Sequence, residues 1–94
     1  MKLNNIVIVG GGSAGFITAT TLIRLFPNKK ITLIESPKIP TVGVGESTTA
    51  HFKSWLSLVG INDSDFMKEC DSTYKFGIRF TDFYKKDSTY FDYP

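Results

Sequence analysis

A chain of 94 residues allows one small domain and excludes a multidomain assembly, because single domains commonly contain about 100 to 150 residues. Its composition, 41% hydrophobic and 21% charged, is typical of a globular protein and excludes a disordered tail or a membrane bundle. The 11 basic and 9 acidic residues are scattered along the chain, so the basic patch of a nucleic-acid-binding protein is missing. We therefore expect neither a nucleic-acid partner nor a membrane partner.

The single cysteine, Cys70, excludes an internal disulfide and a cysteine-built zinc site, and no metal site is expected. A chain without a disulfide framework fits a reducing compartment, and we expect a cytoplasmic protein. The longest apolar run near the start, Ile6 to Val9, is far shorter than the roughly 20 residues of a membrane span.

The first elements predicted along the chain are a strand, a helix and a second strand. The β-branched run from Ile6 to Val9 predicts a strand buried on both faces. From Ser13 to Pro27, helical spacing predicts an amphipathic helix whose apolar stripe comprises Phe16, Ala19, Leu22, Ile23 and Phe26. Residues 30–35 predict the second strand. Short joints between these elements indicate a βαβ unit with parallel strands.

The middle of the chain predicts a loop and two helices. Residues 36–45 contain two prolines and two glycines, which favours an irregular loop. A helix is expected to open at residues 46–48 and to end at Gly60, and Asp63 is expected to cap a third helix. Cys70 is expected to pack on that third helix as a small hydrophobic residue.

The last predicted element is a strand over residues 74–80, where aromatic and polar residues alternate. This alternation places Phe76, Ile78 and Phe80 on one face, opposite Lys75. We expect the face with the aromatic residues to belong to the core, and Ile78 to line a substrate pocket if Gly77 bends the strand.

A glycine fingerprint follows the first strand and opens the first helix. Gly10, Gly11, Gly12, Ser13, Ala14 and Gly15 match G-x-G-x-x-G in the context that dinucleotide binding requires. The helix N-terminus favours a diphosphate, and Glu35, twenty positions after Gly15, is suited to bind an adenosine ribose. Because FAD and NAD share the adenosine diphosphate half, the fingerprint does not separate them.

Three further segments carry a family resemblance. Residues 39–48 read I-P-T-V-G-V-G-E-S-T, residues 58–61 read L-V-G-I, and residues 69–80 read E-C-D-S-T-Y-K-F-G-I-R-F. In this order the three segments resemble the N-terminal part of the flavin-dependent tryptophan halogenases. The resemblance extends along this chain up to about Phe83. The resemblance implies an α/β fold in which residues 1–94 form an incomplete Rossmann-like FAD-binding domain of the glutathione-reductase type. The W-x-W-x-I-P segment and the catalytic glutamate, which lie downstream in that family, are not found in these 94 residues.

The resemblance also implies a chemistry and a set of partners. A flavin reductase would supply FADH2. The reaction of FADH2 with O2 would give a flavin hydroperoxide, which would oxidise halide to hypohalous acid. Lys75, which matches the family's catalytic lysine, would deliver the halogen to tryptophan or a related aromatic. Phe83 stands where the family usually has a tryptophan, which bears on substrate fit.

By the same resemblance, the cofactor-binding residues fall into three groups. Gly11, Ser13 and Ala14 would approach the diphosphate; Ser36 and Ile39 the adenosine side; and Val44, Gly45, Glu46 and Ser47 the ribityl chain and isoalloxazine ring. Two other functions stay open at this point: an FAD-dependent aromatic monooxygenase, for which the lysine is dispensable, and a non-catalytic nucleotide-binding remnant.

Overall fold

The computed structural model describes residues 2–43 and 45–93. In chain order the elements are β1 (Asn5–Val9), α1 (Ser13–Leu25), β2 (Lys30–Ile34), α2 (Phe52–Val59), α3 (Asp63–Glu69), β3 (Ile78–Phe80) and β4 (Phe91–Tyr93). The chain therefore has an α/β fold with the β-α-β start that the sequence predicts.

The β-α-β unit is built on a parallel pair of strands. β1 and β2 run side by side in parallel, in register from Asn5 opposite Lys30 to Val9 opposite Ile34. Beyond the strand end, the N–H of Gly10 donates to the carbonyl oxygen of Ile34 at 2.8 Å. α1 ends two residues before Pro27, whose ring cannot continue a helix. The predicted parallel βαβ unit is confirmed.

The two faces of this sheet differ in burial. On one face Ile6, Ile8, Ile31 and Leu33 are half-buried, and α1 packs against both strands. On the other face Val7 is 57%, Val9 82% and Ile34 51% exposed, and Thr32 is half-buried. The prediction that the first strand is buried on both faces is wrong, because within residues 2–43 and 45–93 a helix covers one face only.

A small core lies where α1 meets α2. Among the described residues, the buried apolar ones are Ala19, Leu56 and Val59. The indole N–H of Trp55 donates to Oγ1 of Thr21 at 2.8 Å, which ties α2 to α1. The predicted apolar stripe of α1 is only partly buried, since Phe16, Ile23 and Phe26 are exposed while Ala19 and Leu22 face neighbouring elements.

The second helix begins later than predicted. α2 begins at Phe52, and residues 46–48 are irregular. Two contacts engage this segment outside any helix: Glu46 bonds to Ser13, and the carbonyl oxygen of Thr48 accepts from Lys75. The predicted end at Gly60 is confirmed, with a left-handed φ of 74° that favours glycine.

The third helix is capped one residue earlier than predicted. Oδ1 of Asn62 accepts from the N–H groups of Ser64 at 2.8 Å and Asp65 at 3.4 Å, so Asn62 rather than Asp63 is the N-cap. Cys70 follows the last turn and is exposed. The expectation that Cys70 packs as a hydrophobic residue is wrong, because no element covers this end of α3 in the part of the chain that the structure describes.

The last predicted strand is shorter than expected and belongs to a hairpin. β3 covers Ile78–Phe80 and pairs antiparallel with β4, which the sequence did not predict. Lys75 and Phe76 lie before the strand, and Phe76 is fully exposed rather than part of a core. One face of the hairpin packs Phe80 on Phe91 at 4.9 Å between ring centroids; the other pairs Arg79 with Asp92 at 2.7 Å.

Of the helices in residues 2–43 and 45–93, none combines the length and apolar character that crossing a membrane requires.

Candidate functional site

The glycine fingerprint forms the turn from β1 into α1. Gly10 has a φ of 129°, a conformation that side chains rarely adopt. A Cβ at Gly15 would overlap the carbonyl oxygen of Gly10, so only glycine lets α1 start this close to the turn. A Cβ at Gly12 would meet nothing within 4 Å. The three glycines thus have distinct roles: the turn, an open approach to the backbone, and close packing.

The N-terminus of α1 is suited to an anion. Its N-cap is Gly12, which has no side chain to cap the helix, and the first turn, which contains Ser13, Ala14 and Gly15, has no acidic residue of its own. Unpaired N–H groups and the helix dipole give this end a partial positive charge. The arrangement can accept a phosphate group at the backbone.

Glu35 lies beside this turn. It follows β2, and a Cβ at Gly11 would overlap the Glu35 carboxylate and its Cβ. The parallel register of β1 and β2 therefore brings the distal acid next to the fingerprint, as the spacing indicates. An exposed carboxylate at this position can accept hydrogen bonds from a ribose.

We call residues 36–48 the strap loop. Oγ of Ser36 accepts from the N–H of Lys38 at 3.2 Å, and Ile39 is 73% exposed. Gly45 has a φ of 120°, which favours glycine, and Ser47 is exposed. Val44, expected to approach the flavin, lies outside the described residues.

The strap loop contacts the start of α1. The Ser13 hydroxyl donates to the Glu46 carboxylate, 3.1 Å from Oε1 and 3.2 Å from Oε2. Both residues are exposed, so the contact faces solvent rather than the core. The structure therefore brings together Ser13 and Glu46, two residues that the sequence assigned to different parts of the cofactor.

Lys75 contacts the strap loop at the same end, two residues after Glu46. Its ammonium donates to the carbonyl oxygen of Thr48, and its side chain is exposed. Thr48 was not among the predicted site residues, since a backbone acceptor leaves no signal in residue type. The strap loop thus joins the fingerprint turn at Glu46 and the predicted catalytic lysine at Thr48.

Ile78 lies apart from these contacts, in β3. It lines an open depression of about 370 Å³ together with Phe76, Gly77, Arg79, Asp92 and Tyr93. Arg79 donates to Asp92 through Nε at 2.7 Å and a terminal nitrogen at 2.9 Å. This hydrogen bond, followed by the charge attraction, lowers the pKa of Asp92 below its usual value. Sequence reasoning missed the pair, because it joins β3 to a strand that was not predicted.

Comparison with known proteins decides the family. The tryptophan halogenase family model matches residues 5–93, nearly the whole chain. The chain belongs to the tryptophan halogenase family. The chain is 37% identical over 92 residues to the tryptophan 6-halogenase of Streptomyces toxytricini, a match that covers 97% of this chain and 17% of that enzyme. It is 41% identical over 81 residues to the tryptophan 7-halogenase of Lentzea aerocolonigenes, which covers 84% of this chain and 15% of that enzyme.

Two solved structures contain the same fold. The crystal structure of the Streptomyces toxytricini enzyme superimposes with a TM-score of 0.79, covering 95% of this chain and 18% of that one. The apo structure of VirX1 gives a TM-score of 0.82 at 47% identity, covering 99% of this chain and 17% of that one. The chain therefore spans less than a fifth of the length of each of these proteins.

Proposed function

We propose that this chain forms the nucleotide-binding front part of a flavin-dependent tryptophan halogenase, as an incomplete Rossmann-like FAD-binding domain over residues 1–94. The observation that carries the proposal is the double contact of the strap loop, with Ser13 at Glu46 and with Lys75 at Thr48. A loop held between a dinucleotide fingerprint and a lysine links a cofactor subsite to a reactive side chain. Such a link suits a reaction in which an oxidant formed at one place is used at another.

The fingerprint residues fit the diphosphate of FAD. The open space beside Gly12 and the uncapped first turn of α1 support a phosphate at the backbone of Gly11, Ser13 and Ala14. Glu35 would accept hydrogen bonds from the adenosine ribose. Ser36 and Ile39 would lie toward the adenosine, and Val44, Gly45, Glu46 and Ser47 toward the ribityl chain and isoalloxazine. Bound in reduced form, FAD would supply the oxygen activation that oxidises halide.

Lys75 is proposed as the catalytic residue. An ammonium has three N–H donors, and the bond to Thr48 uses one of them. The other two can hold the oxygen of hypohalous acid and polarise its oxygen–halogen bond toward an aromatic ring. Alternatively, the neutral amine of Lys75 could react with hypohalous acid to give a haloamine and water. Arginine is a poorer substitute in that route, because it does not readily release a proton.

The proposed partners follow from this role. The substrate would be tryptophan or a related electron-rich aromatic, together with halide and O2, and a flavin reductase would supply FADH2. Ile78 would line the substrate pocket, since it lies three positions after Lys75 at the edge of an open depression.

Calorimetric titration with FAD and with ADP tests the cofactor site. We expect both to bind, because the fingerprint contacts lie in their shared half. Gly12→Val fills the open approach to the backbone and is expected to weaken binding at least about tenfold. Ser57→Val, at an exposed position of α2, is the control and is expected to keep the affinity. Absence of FAD and ADP binding by the parent chain would overturn the proposal.

The activity is tested in a chimera in which this chain replaces the matching segment of the Streptomyces toxytricini enzyme. With FAD, flavin reductase, halide and tryptophan, we expect a halogenated product. Hydroxylation of the aromatic in its place would support a monooxygenase. Binding of FAD without any oxidation would support a non-catalytic nucleotide-binding remnant.

A further inference from the structure

An open depression lies at the edge of the parallel sheet where β1 and β2 begin. It has a volume of about 380 Å³ and is lined by Lys2, Asn4 and residues 25–29. The parallel pairing sets the start of the chain beside the turn between α1 and β2, so residues that are distant in sequence share this surface. The glycine fingerprint lies at the opposite end of the strands. We call this surface the basic depression.

Hydrogen bonds hold the two sides of the basic depression together. The N–H of Lys30 donates to the carbonyl oxygen of Asn4 at 2.9 Å, and the ammonium of Lys29 donates to the carbonyl oxygen of Leu3. The N–H of Lys29 also donates to the carbonyl oxygen of Phe26 at 3.1 Å, within the turn after α1. The surface is therefore formed before a partner binds, and binding costs less conformational entropy than at a flexible loop.

The positive charge at this edge of the sheet is uncompensated. Residues 1–34 contain no acidic residue, and three of their basic residues, Lys2, Lys29 and Lys30, lie at this edge. Within residues 2–43 and 45–93, no carboxylate lies within ion-pair distance of these lysines. Glu35 follows the other end of β2, about 20 Å away along an extended chain, which exceeds the Debye length of about 8 Å in physiological salt. The edge therefore attracts negative charge.

The basic depression combines this charge with exposed apolar side chains. Leu25 is 47% and Phe26 43% exposed, and the exposed Pro27 lies beside them. Sites for small molecules bury most of the surface of the ligand, which an open depression does not do. A protein segment brings neighbouring residues that cover the part of it left outside the depression. The surface therefore suits a protein segment rather than a small molecule.

We propose that the basic depression binds an acidic segment of a partner protein, in which carboxylate side chains flank a large apolar side chain. The carboxylates pair with Lys2 and with the Lys29 ammonium, which has three N–H donors and uses one on Leu3. The apolar side chain packs on Leu25 and Phe26. The opposite charges speed association and select the partner, and the apolar contact supplies affinity. The proposal rests neither on FAD binding nor on halogenation.

Fluorescence anisotropy with a labelled synthetic peptide tests the proposal. The peptide has two glutamates on each side of a leucine–phenylalanine pair. We expect the chain to bind it, and the affinity to fall at least about tenfold between about 50 mM and about 500 mM salt. A peptide with lysine in place of every glutamate is expected not to bind. A peptide with serine in place of the apolar pair is expected to bind at least about fivefold more weakly.

A charge reversal at the basic depression tests the same surface on the chain. Lys2→Glu is expected to weaken peptide binding at least about fivefold, because an attraction becomes a repulsion. Lys68→Glu makes the same change at an exposed position of α3 and is expected to keep the affinity. Lys2 is itself exposed, so both variants are expected to keep the fold, which circular dichroism checks.

Amide chemical shifts locate the bound peptide without any substitution. The shifts that change are expected to lie in residues 2–4 and 25–30, and saturating ADP is expected to leave the peptide affinity unchanged. Displacement of the peptide by ADP, or shift changes in residues 10–15 instead, would place it at the fingerprint and overturn the proposal.

Three further results would also overturn the proposal. One is equal affinity for the serine peptide, which would reduce the effect to nonspecific charge attraction. Another is equal affinity of Lys2→Glu and Lys68→Glu for the glutamate peptide. The third is binding to vesicles that contain phosphatidylserine without binding to the peptide, which would make a membrane surface the partner.

Discussion

The hydroxyl of Ser13 donates to the carboxylate of Glu46 across 33 positions of sequence, at 3.1 Å from Oε1 and 3.2 Å from Oε2. A serine hydroxyl has one proton to donate, so while it bonds to Glu46 it cannot donate to a phosphate. The carboxylate also places a negative charge beside the first turn of α1, where the helix dipole favours an anion. In this conformation Glu46 and a bound diphosphate would compete for the same end of the helix.

Glu46→Gln is therefore expected to tighten ADP binding by about threefold to tenfold, since the amide removes the charge and keeps the shape. ADP is the probe because it lacks the flavin half of FAD, toward which Glu46 is proposed to lie. Titration calorimetry measures the change. Glu69→Gln, which removes another exposed carboxylate from the end of α3, serves as the control and is expected to have no effect. A weaker ADP affinity in Glu46→Gln would show instead that the carboxylate does not compete with the diphosphate.

Gly15→Ala is expected to destabilise the fold by about 1 to 3 kcal/mol, because the new Cβ would overlap the carbonyl oxygen of Gly10. Urea unfolding of the chimera measures this cost. Gly12→Ala is the matched control: nothing lies within 4 Å of its Cβ, and its φ of −84° suits any residue. Equal stability of the two variants would contradict the close approach of α1 to the turn.

Lys75→Ala is expected to abolish halogenation by the chimera and to leave FAD binding unchanged, because the side chain contacts Thr48 and not the fingerprint turn. Product analysis and calorimetry on the same preparation separate the two effects. Lys68→Ala, which removes an exposed lysine from α3, is expected to keep full activity. Halogenation by Lys75→Ala would exclude the lysine as the catalytic group.

The hairpin is expected to lose stability in acid. The pKa of Asp92 is lowered in the folded state, so its stabilising contribution is present above the unfolded pKa of about 4 and is lost as pH falls through the lower folded value. Amide chemical shifts of β3 and β4, followed from pH 6 to about pH 2, measure this loss. Asp92→Asn is expected to remove the pH dependence of these chemical shifts. If the shifts of the variant change with pH as before, the loss of hairpin stability is due to another group.

The part of the fold that could be predicted from sequence depends on local pattern. Ile6 to Val9 and the glycines after them specify a strand and a turn within a few residues, and the parallel pairing of β1 with β2 follows from the short connections. The end of α2 at Gly60 is equally local, since a left-handed residue ends the helix wherever it stands.

The part that could not be predicted depends on contacts between distant residues. β4 has only three residues, which is too short for an alternating pattern to predict a strand. It forms a strand by pairing with β3, a contact between residues that are distant in the sequence. Residues 46–48 have good helix-opening character, but the bonds of Glu46 and Thr48 to distant partners are made in an irregular conformation. The exposure of Val7 was missed because a buried-strand pattern does not say which element covers each face.

Because Trp55 donates a hydrogen bond to Thr21, its fluorescence reports whether α2 is packed against α1. Trp55 is the one tryptophan among the 94 residues, and its indole is held against α1. Its emission therefore comes from a single environment, the junction of α1 and α2, and shifts to longer wavelength when that junction opens to water. The docking of the two helices can thus be followed in the unmodified protein, without a label.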